Sequence, residues 1–241
     1  MMISTSILNS SDRVESVLKL NRTNTSYIHI DVMDGKFVDD TQFKLNEINA
    51  VNRVSKYPMD VHLMVNDPIS YIVKLKDMNI SYITFHIEIR KNKEKIIKLI
   101  KDMGYKVGIS IKPDTDIEKL IPYLDDVDMV LIMSVEPGCG GQKFIDSTLD
   151  RIKQVKKLIK ESKRDIKIEI DGGIKGDNIS KLKDVDIAVV GSYIINSDNY
   201  YEVIEKLLGR DTKKEIIKIK KTVILLVVLW FLFIACFLIF K

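Results

Sequence analysis

The sequence predicts an α/β fold, a (β/α)8 TIM barrel, followed by a C-terminal transmembrane helix. Short β-rich runs alternate eight times with amphipathic stretches, which is the pattern of a parallel sheet built from βα units. These units end near residue 208, a length that is compact but sufficient for a closed barrel. A long apolar segment without charges then ends the chain.

The predicted strands are short runs rich in Ile, Val, Met and Tyr, the residues that favour a pleated, half-buried surface. Polar or glycine-bearing turns bound them. In chain order they are Ile3–Ile7, Tyr27–Met33, Met59–Met64, Tyr82–Ile87, Lys106–Ile111, Met129–Val135, Ile166–Ile170 and Ile187–Val190.

The helical candidates between these strands carry their apolar residues on one stripe. In the fourth βα unit, Ile96, Leu99, Ile100 and Met103 share a face and lysines lie opposite. The candidates are Arg13–Leu20, Pro68–Asn79, Lys93–Met103, Ile117–Leu124, Ile145–Ser162 and Tyr200–Leu208.

No proline- or glycine-rich linker divides residues 1–209, so we predict one barrel domain there. Residues 210–221 are basic and are predicted to form a juxtamembrane helix. Residues 222–240 contain nineteen uncharged residues. As a helix they would span about 28 Å, the thickness of a bilayer's hydrocarbon core. Lysines precede this segment, so the positive-inside rule predicts a cytoplasm-facing barrel anchored to the membrane.

A buried helix of a larger assembly and a frameshifted reading frame are the alternatives to a membrane-spanning tail. A closed barrel offers no core position for a helix that is apolar all round, which favours the membrane. The chain has a net charge of +4, but only 31 basic and 32 acidic residues precede Arg210. The near-neutral body argues against nucleic-acid binding.

Four side chains form a candidate metal site. In a β-strand, alternate residues share a face, so His29 and Asp31 point the same way at the end of the second run. His62 and Asp171 lie at or near the ends of the third and seventh runs, and all four converge if these strands belong to one barrel. Two imidazoles and two carboxylates suit Zn, Fe(II), Mn or Co better than Ca or Mg. His86 is interpreted as a supporting or structural residue.

Glycine-bearing turns follow the last three runs and predict a phosphate site. Without a Cβ atom the backbone can approach an anion and offer N–H groups to it, although a single turn glycine carries no such meaning. Cys139 lies in one of these turns without an adjacent His, so a loop residue is favoured over a nucleophile. The turns are Gly138, Cys139, Gly140 and Gly141; Gly172 and Gly173; and Gly191 and Ser192.

Four strings, HIDVMDG, DVHLMV, SVEPGCGGQ and IDGGI, resemble in order and spacing those of ribulose-phosphate 3-epimerases. The resemblance covers about residues 3–208. It implies that one divalent metal binds His29, Asp31, His62 and Asp171, with Asp31 and Asp171 as the two acid/base groups. It also implies that Ser6, His62 and Asp171 contact the sugar, and that three methionines shield it, namely Met33, Met64 and Met133.

The activity implied by the resemblance is metal-dependent epimerisation at C3 of D-ribulose 5-phosphate to D-xylulose 5-phosphate, in the pentose phosphate pathway, through an enediolate. Two alternatives are a 3-epimerase of a hexulose 6-phosphate such as D-allulose 6-phosphate, and a non-catalytic, membrane-tethered sugar-phosphate binder. A binder does not need both acids, which argues against the second alternative. A homo-oligomer is compatible with the sequence. The departures from the residues usual in the family touch the loops over the predicted site; they are Thr5, Lys36, Asp39, Asp40 and Cys139.

Overall fold

The computed structural model describes residues 1–210. The predicted transmembrane helix 222–240, and all of the predicted juxtamembrane helix beyond Arg210, lie outside these residues. Among the helices of residues 1–210, none combines the length and the apolar character that a membrane crossing needs.

Eight parallel strands close into a barrel, which confirms the predicted TIM-barrel architecture. Neighbours pair in the order β1, β2, β4, β5, β6, β7, β8, β9, and β9 pairs with β1. A two-residue strand, β3, pairs antiparallel with the end of β2. The strands are β1 (Met2–Ser6), β2 (Tyr27–Asp34), β3 (Thr41–Gln42), β4 (Met59–Met64), β5 (Ile80–His86), β6 (Lys106–Ile111), β7 (Met129–Met133), β8 (Lys167–Asp171) and β9 (Ile187–Val190).

Helices cover the outside of the barrel. Several begin at a side-chain cap; for example, Asp12 and Asn92 each accept a hydrogen bond from a backbone N–H of the first turn. The helices are α1 (Arg13–Leu20), α2 (Leu45–Val54), α3 (Pro68–Ile72), α4 (Lys93–Asp102), α5 (Thr148–Ser162), α6 (Ser192–Ile195) and α7 (Tyr200–Leu207).

Two predicted helices differ from the structure in helix type, because part or all of each is a 3-10 helix. The predicted helix Pro68–Asn79 ends as an α-helix at Ile72, tightens to a 3-10 turn, and reverses at Asp77, whose φ is 63°. The predicted helix Ile117–Leu124 is a 3-10 helix that contains Pro122. Proline has no N–H to donate, so the hydrogen bonds that define an α-helix, each from an N–H to the carbonyl four residues earlier, are interrupted there.

The hydrophobic core lies between the strands and the helices, whereas the barrel interior is partly polar. Ile28 and Ile30 of β2 belong to the main apolar cluster. His29, between them, points the other way because strand side chains alternate. The buried polar side chains include Ser4, His29, Asp60, His62, Thr84, His86, Ser110 and Glu169, all fully buried. The strands thus bring titratable groups into the barrel interior.

Candidate active site at the carboxyl ends of the strands

The four predicted metal ligands meet at the carboxyl ends of β2, β4 and β8. Their ligand atoms all lie within 4.8 Å of one another. His29 Nε2 lies 3.2 Å from Asp31 Oδ1 and 4.0 Å from Asp171 Oδ2. His62 Nδ1 lies 3.4 Å and 3.8 Å from the same two oxygens. One small volume is therefore surrounded by two imidazole nitrogens and two carboxylate oxygens.

Hydrogen bonds orient His29 toward this volume. Asp60 Oδ2 lies 2.7 Å from His29 Nδ1 and accepts a hydrogen bond from Ser4 Oγ at 2.8 Å. Since the carboxylate accepts, Nδ1 carries a proton, and the neutral ring presents its Nε2 lone pair to the site. In the metal-free protein, Asp31 and Asp60 raise the pKa of His29 well above its usual value, against the opposing effect of burial. Ser6 likewise donates to Asp31 Oδ2 at 2.8 Å, which leaves Asp31 Oδ1 facing the imidazoles.

The inner nitrogens of the two histidines have no hydrogen-bond partner. His29 Nε2 and His62 Nδ1 are both buried, and within residues 1–210 no group meets either of them with hydrogen-bond geometry. Buried polar atoms without partners are costly, and such atoms often mark the place of an ion. The nitrogens and the Asp31 and Asp171 oxygens are donors that transition metals accept. The residues present therefore fit one divalent ion of this kind.

The two aspartates differ in acidity. Burial alone would raise the pKa of Asp31, but the attraction of His29 and His62, when these rings are protonated in the metal-free protein, outweighs it and holds the pKa well below the usual range. Burial and the charge of Asp31 raise the pKa of Asp171 to about 6, against the opposing effect of the two histidines. Near neutral pH one acid is firmly ionised and the other holds its proton more readily, which suits a pair with opposite roles.

His86 and Glu88 support His62 from behind. His86 Nε2 lies 2.8 Å from His62 Nε2, and His86 Nδ1 lies 3.2 Å from Glu88 Oε2. Burial lowers the pKa of His86 to about 4, despite the hydrogen bond to Glu88. The His86 ring is therefore neutral at physiological pH.

Sequence reasoning missed a second pair of acids, Asp60 and Glu169, which lies deeper in the barrel with His29. Burial and the charge of Asp60 raise the pKa of Glu169 well above its ordinary value. The available signal was strand alternation, because Asp60 precedes His62 by two residues and Glu169 precedes Asp171 by two.

A cleft that is open to solvent lies above the four groups. It is lined by every predicted substrate-binding residue except His62, which is fully buried beneath it. The expected methionines Met33, Met64 and Met133 line it as well, and sequence reasoning missed Asn9, Glu136 and Gln142. The predicted residues at the cleft are Ser6, Gly138, Cys139, Gly140, Gly141, Asp171, Gly172, Gly173, Gly191 and Ser192.

Gly173 shows why this rim needs glycine. Its φ is +64°, and a Cβ atom there would lie 2.4 Å from the backbone nitrogen of Phe144 and 2.8 Å from the carbonyl oxygen of Gln142. Both obstacles are backbone atoms, so no side-chain rotation relieves the clash. The turn after β8 thus packs closely on the loop after β7, and Gln142 ties that loop by donating to the carbonyls of Glu136 and Cys139.

Comparison with known proteins gives the family. The sequence profile described as "Ribulose-phosphate 3 epimerase family" matches residues 2–195. The chain is 40% identical over 222 residues to a ribulose-phosphate 3-epimerase of Buchnera aphidicola, covering 89% of this chain and 96% of that protein. It is 36% identical over 185 residues to the enzyme of that name from Bacillus subtilis, covering 76% and 85%.

Solved structures with the same fold include a tryptophan synthase α-subunit variant from Pyrococcus furiosus. The TM-score is 0.66 at 17% identity, over 86% of this chain and 97% of that one, which supports the barrel fold alone. The family assignment rests on the sequence matches. This chain belongs to the ribulose-phosphate 3-epimerase family.

Proposed function

We propose that the protein interconverts D-ribulose 5-phosphate and D-xylulose 5-phosphate by epimerisation at C3. The observation that carries the proposal is the pair of acids, Asp31 and Asp171, which flank one small volume and differ in acidity. Inverting a carbon beside a ketone requires removal of a proton from one face and delivery to the other. Family membership supports the same reaction.

Each acid serves one face of the sugar. Asp31 lies in the second half of β2, Asp171 ends β8, and β9 and β1 lie between these strands in the barrel. The two carboxyl groups therefore approach the cleft from different sides, with room for a flat enediolate. Asp31, as carboxylate, accepts the C3 proton of one isomer, and Asp171 delivers a proton to the opposite face. The roles reverse in the other direction.

His29, Asp31, His62 and Asp171 would hold one divalent ion, which we infer to be Zn, Fe(II), Mn or Co. Such an ion supplies Lewis-acid stabilisation of the negative charge that develops on the substrate oxygens. Ser6 keeps Asp31 oriented by its hydrogen bond, and Met33, Met64 and Met133 restrict water above the reacting carbon. The glycine turns after β7, β8 and β9 supply backbone N–H groups for the phosphate.

A coupled assay of the full chain with both sugar phosphates tests the proposal. Asp171→Asn should lower kcat by about 100-fold or more, because one face loses its proton donor. Exchange of the C3 proton with solvent should survive for the isomer whose proton faces Asp31. Asp150→Asn, an exposed acid on α5, is the matched control. Near-parental turnover in Asp171→Asn contradicts the two-acid assignment, and turnover of D-allulose 6-phosphate alone favours the hexulose alternative.

We further propose that residues 222–240 anchor the protein to a membrane with the barrel facing the cytoplasm. The support is the sequence alone: nineteen uncharged residues preceded by lysines. Arginines at Leu229 and Phe233 should each cost about 3 kcal/mol of insertion free energy and release the protein into the soluble fraction. Turnover should stay within a few-fold. Parental protein that is soluble without detergent contradicts the anchor.

A further inference from the structure

Glu88 lies at the outer end of a line of side chains that reaches the candidate metal site. Its Oε2 lies 3.2 Å from His86 Nδ1, and His86 Nε2 lies 2.8 Å from His62 Nε2. His62 Nδ1, at the inner end, lies 3.4 Å from Asp31 and 3.8 Å from Asp171. The two ring centroids are 4.9 Å apart and the ring planes differ by 27°, and the 2.8 Å separation of the two Nε2 atoms is that of a hydrogen bond.

A backbone group fixes the direction of the first hydrogen bond. The N–H of Lys112 donates to Glu88 Oε1 at 2.8 Å, and the Thr115 hydroxyl donates to the same oxygen. Arg151 of α5 holds this loop by donating to the carbonyls of Lys112 and Thr115 at 3.1 Å and 2.6 Å. Because a backbone N–H only donates, Glu88 Oε1 is an acceptor, and the second oxygen of an ionised carboxylate is an acceptor too.

The remaining protons follow in order. Glu88 accepts from His86 Nδ1–H, so the neutral His86 ring has its lone pair at Nε2. That lone pair accepts from His62 Nε2–H. In the neutral His62 ring, which is the form that binds a metal, Nδ1 is then left without a proton and its lone pair faces Asp31 and Asp171. Glu88 thereby determines whether His62 Nδ1 carries a proton, although it does not contact that atom.

We propose that Glu88 is a positioning residue that sets the tautomer of His62 and so its affinity for a divalent metal. The inference rests on the metal site of the proposed function, which it deepens. Both imidazoles are fully buried, so within the part of the chain that the structure describes their protons are ordered by these side-chain contacts and not by bulk water.

Glu88→Gln should reverse the direction of the hydrogen bonds between residue 88, His86 and His62 without changing the size of the side chain. The Gln carbonyl must still accept from Lys112 N–H, so its amide NH2 faces His86 Nδ1. His86 must then accept at Nδ1 and donate from Nε2, which places a proton on His62 Nδ1 and obstructs the site. Loss of such a supporting partner typically weakens metal binding by about 10- to 100-fold.

Glu88→Ala separates this role from packing. It removes the carboxylate but imposes no tautomer on His86, so its metal affinity should fall less than that of Glu88→Gln. A purely structural role predicts the opposite order, because Gln preserves the shape and Ala does not. Glu118→Gln, an exposed acid close to the same loop in sequence, is the control and should match the parent.

The experiment uses the full chain, prepared metal-free. Nitrogen NMR of the imidazoles reads the tautomers directly, and the chain contains only three histidines to assign. Cobalt(II) titration followed by absorption gives the metal Kd. The proposal expects Nδ1–H at His86 in the parent, Nε2–H in Glu88→Gln, and the weakest cobalt binding in Glu88→Gln.

An unchanged His86 tautomer in Glu88→Gln, or weaker binding in Glu88→Ala than in Glu88→Gln, overturns the proposal. If the tautomers switch while no form of the protein binds cobalt, parent included, the action of Glu88 on His62 stands and the proposed metal-dependent function fails. The two failures are therefore distinguishable.

Discussion

Replacing Asp171 by Asn should stabilise the metal-free protein near neutral pH, although the same change removes a catalytic acid. Burial and the charge of Asp31 raise the pKa of Asp171 from 3.8 to about 6, against the effect of His29 and His62. The folded chain therefore holds this proton more tightly than the unfolded chain. Ionising the group as the pH rises from about 4 to about 6 consequently costs folding free energy.

The magnitude follows from the two pKa values. The difference between 3.8 and about 6 corresponds to about 3 kcal/mol of unfolding free energy. Asn has nearly the same size and does not ionise. Above about pH 6 the variant should therefore be more stable by about 3 kcal/mol, and below about pH 4, where Asp171 is protonated in both states, the difference should vanish.

Denaturant unfolding of the metal-free full chain at about pH 4 and about pH 7.5 measures this difference. Asp150→Asn serves as the control because Asp150 is exposed and its ion pair is with Lys153 on the same helix. An Asp171→Asn variant that is less stable than the parent at the higher pH would refute the reasoning, as would a difference that is the same at both pH values. Added zinc should stabilise the parent more than the variant, since the variant lacks one ligand.

Three further predictions concern the metal, the phosphate turn and His86. Prolonged chelation should abolish activity, and Zn, Mn, Co or Fe(II) should restore it in the parent but not in His62→Ala; full activity with no metal content contradicts this. Gly173→Ala should raise KM and should lose more stability than the about 1–2 kcal/mol that a positive φ costs, because its Cβ atom would also clash with the backbone of Phe144 and Gln142. Gly104→Ala, with φ +81° and no atom within 4 Å, should lose only the cost of the positive φ and keep its KM. Burial lowers the pKa of His86 from 6.5 to about 4. The metal-free parent should therefore lose about 3 kcal/mol more unfolding free energy than His86→Gln between about pH 6.5 and about pH 4, measured by denaturant titration.

The alternation of side chains along a β-strand made much of the barrel, and the cluster of four candidate metal ligands, predictable from the sequence. A short apolar run such as Met129–Met133 predicts a buried strand, and the i, i+2 spacing of His29 and Asp31 places both side chains on one face. The same rule extends to Asp60, which lies in the DVHLMV string, and to Glu169, although neither residue was assigned a role from the sequence.

Contacts between distant segments were not predictable in this way. The bond from Lys112 N–H to Glu88 joins residues that follow different strands, and it depends on how β5 and β6 are paired. The strand β3 contains only two residues, too few for a periodic signal. The end of α3 at Ile72 is likewise set by the return of the chain into β5, which local helix propensity does not report.

The burial of all three histidines also affects how the charge of the solvent-exposed surface responds to pH. His29, His62 and His86 are fully buried in one connected cluster, and the chain has no fourth histidine. Exposed carboxylates, lysines and arginines ordinarily keep their charge between about pH 5 and about pH 8, where only histidine changes it readily. The solvent-facing charge should therefore be nearly constant over that range. A change in activity between about pH 5 and about pH 8 should then report on titration in the barrel interior, where the pKa of Asp171 is about 6.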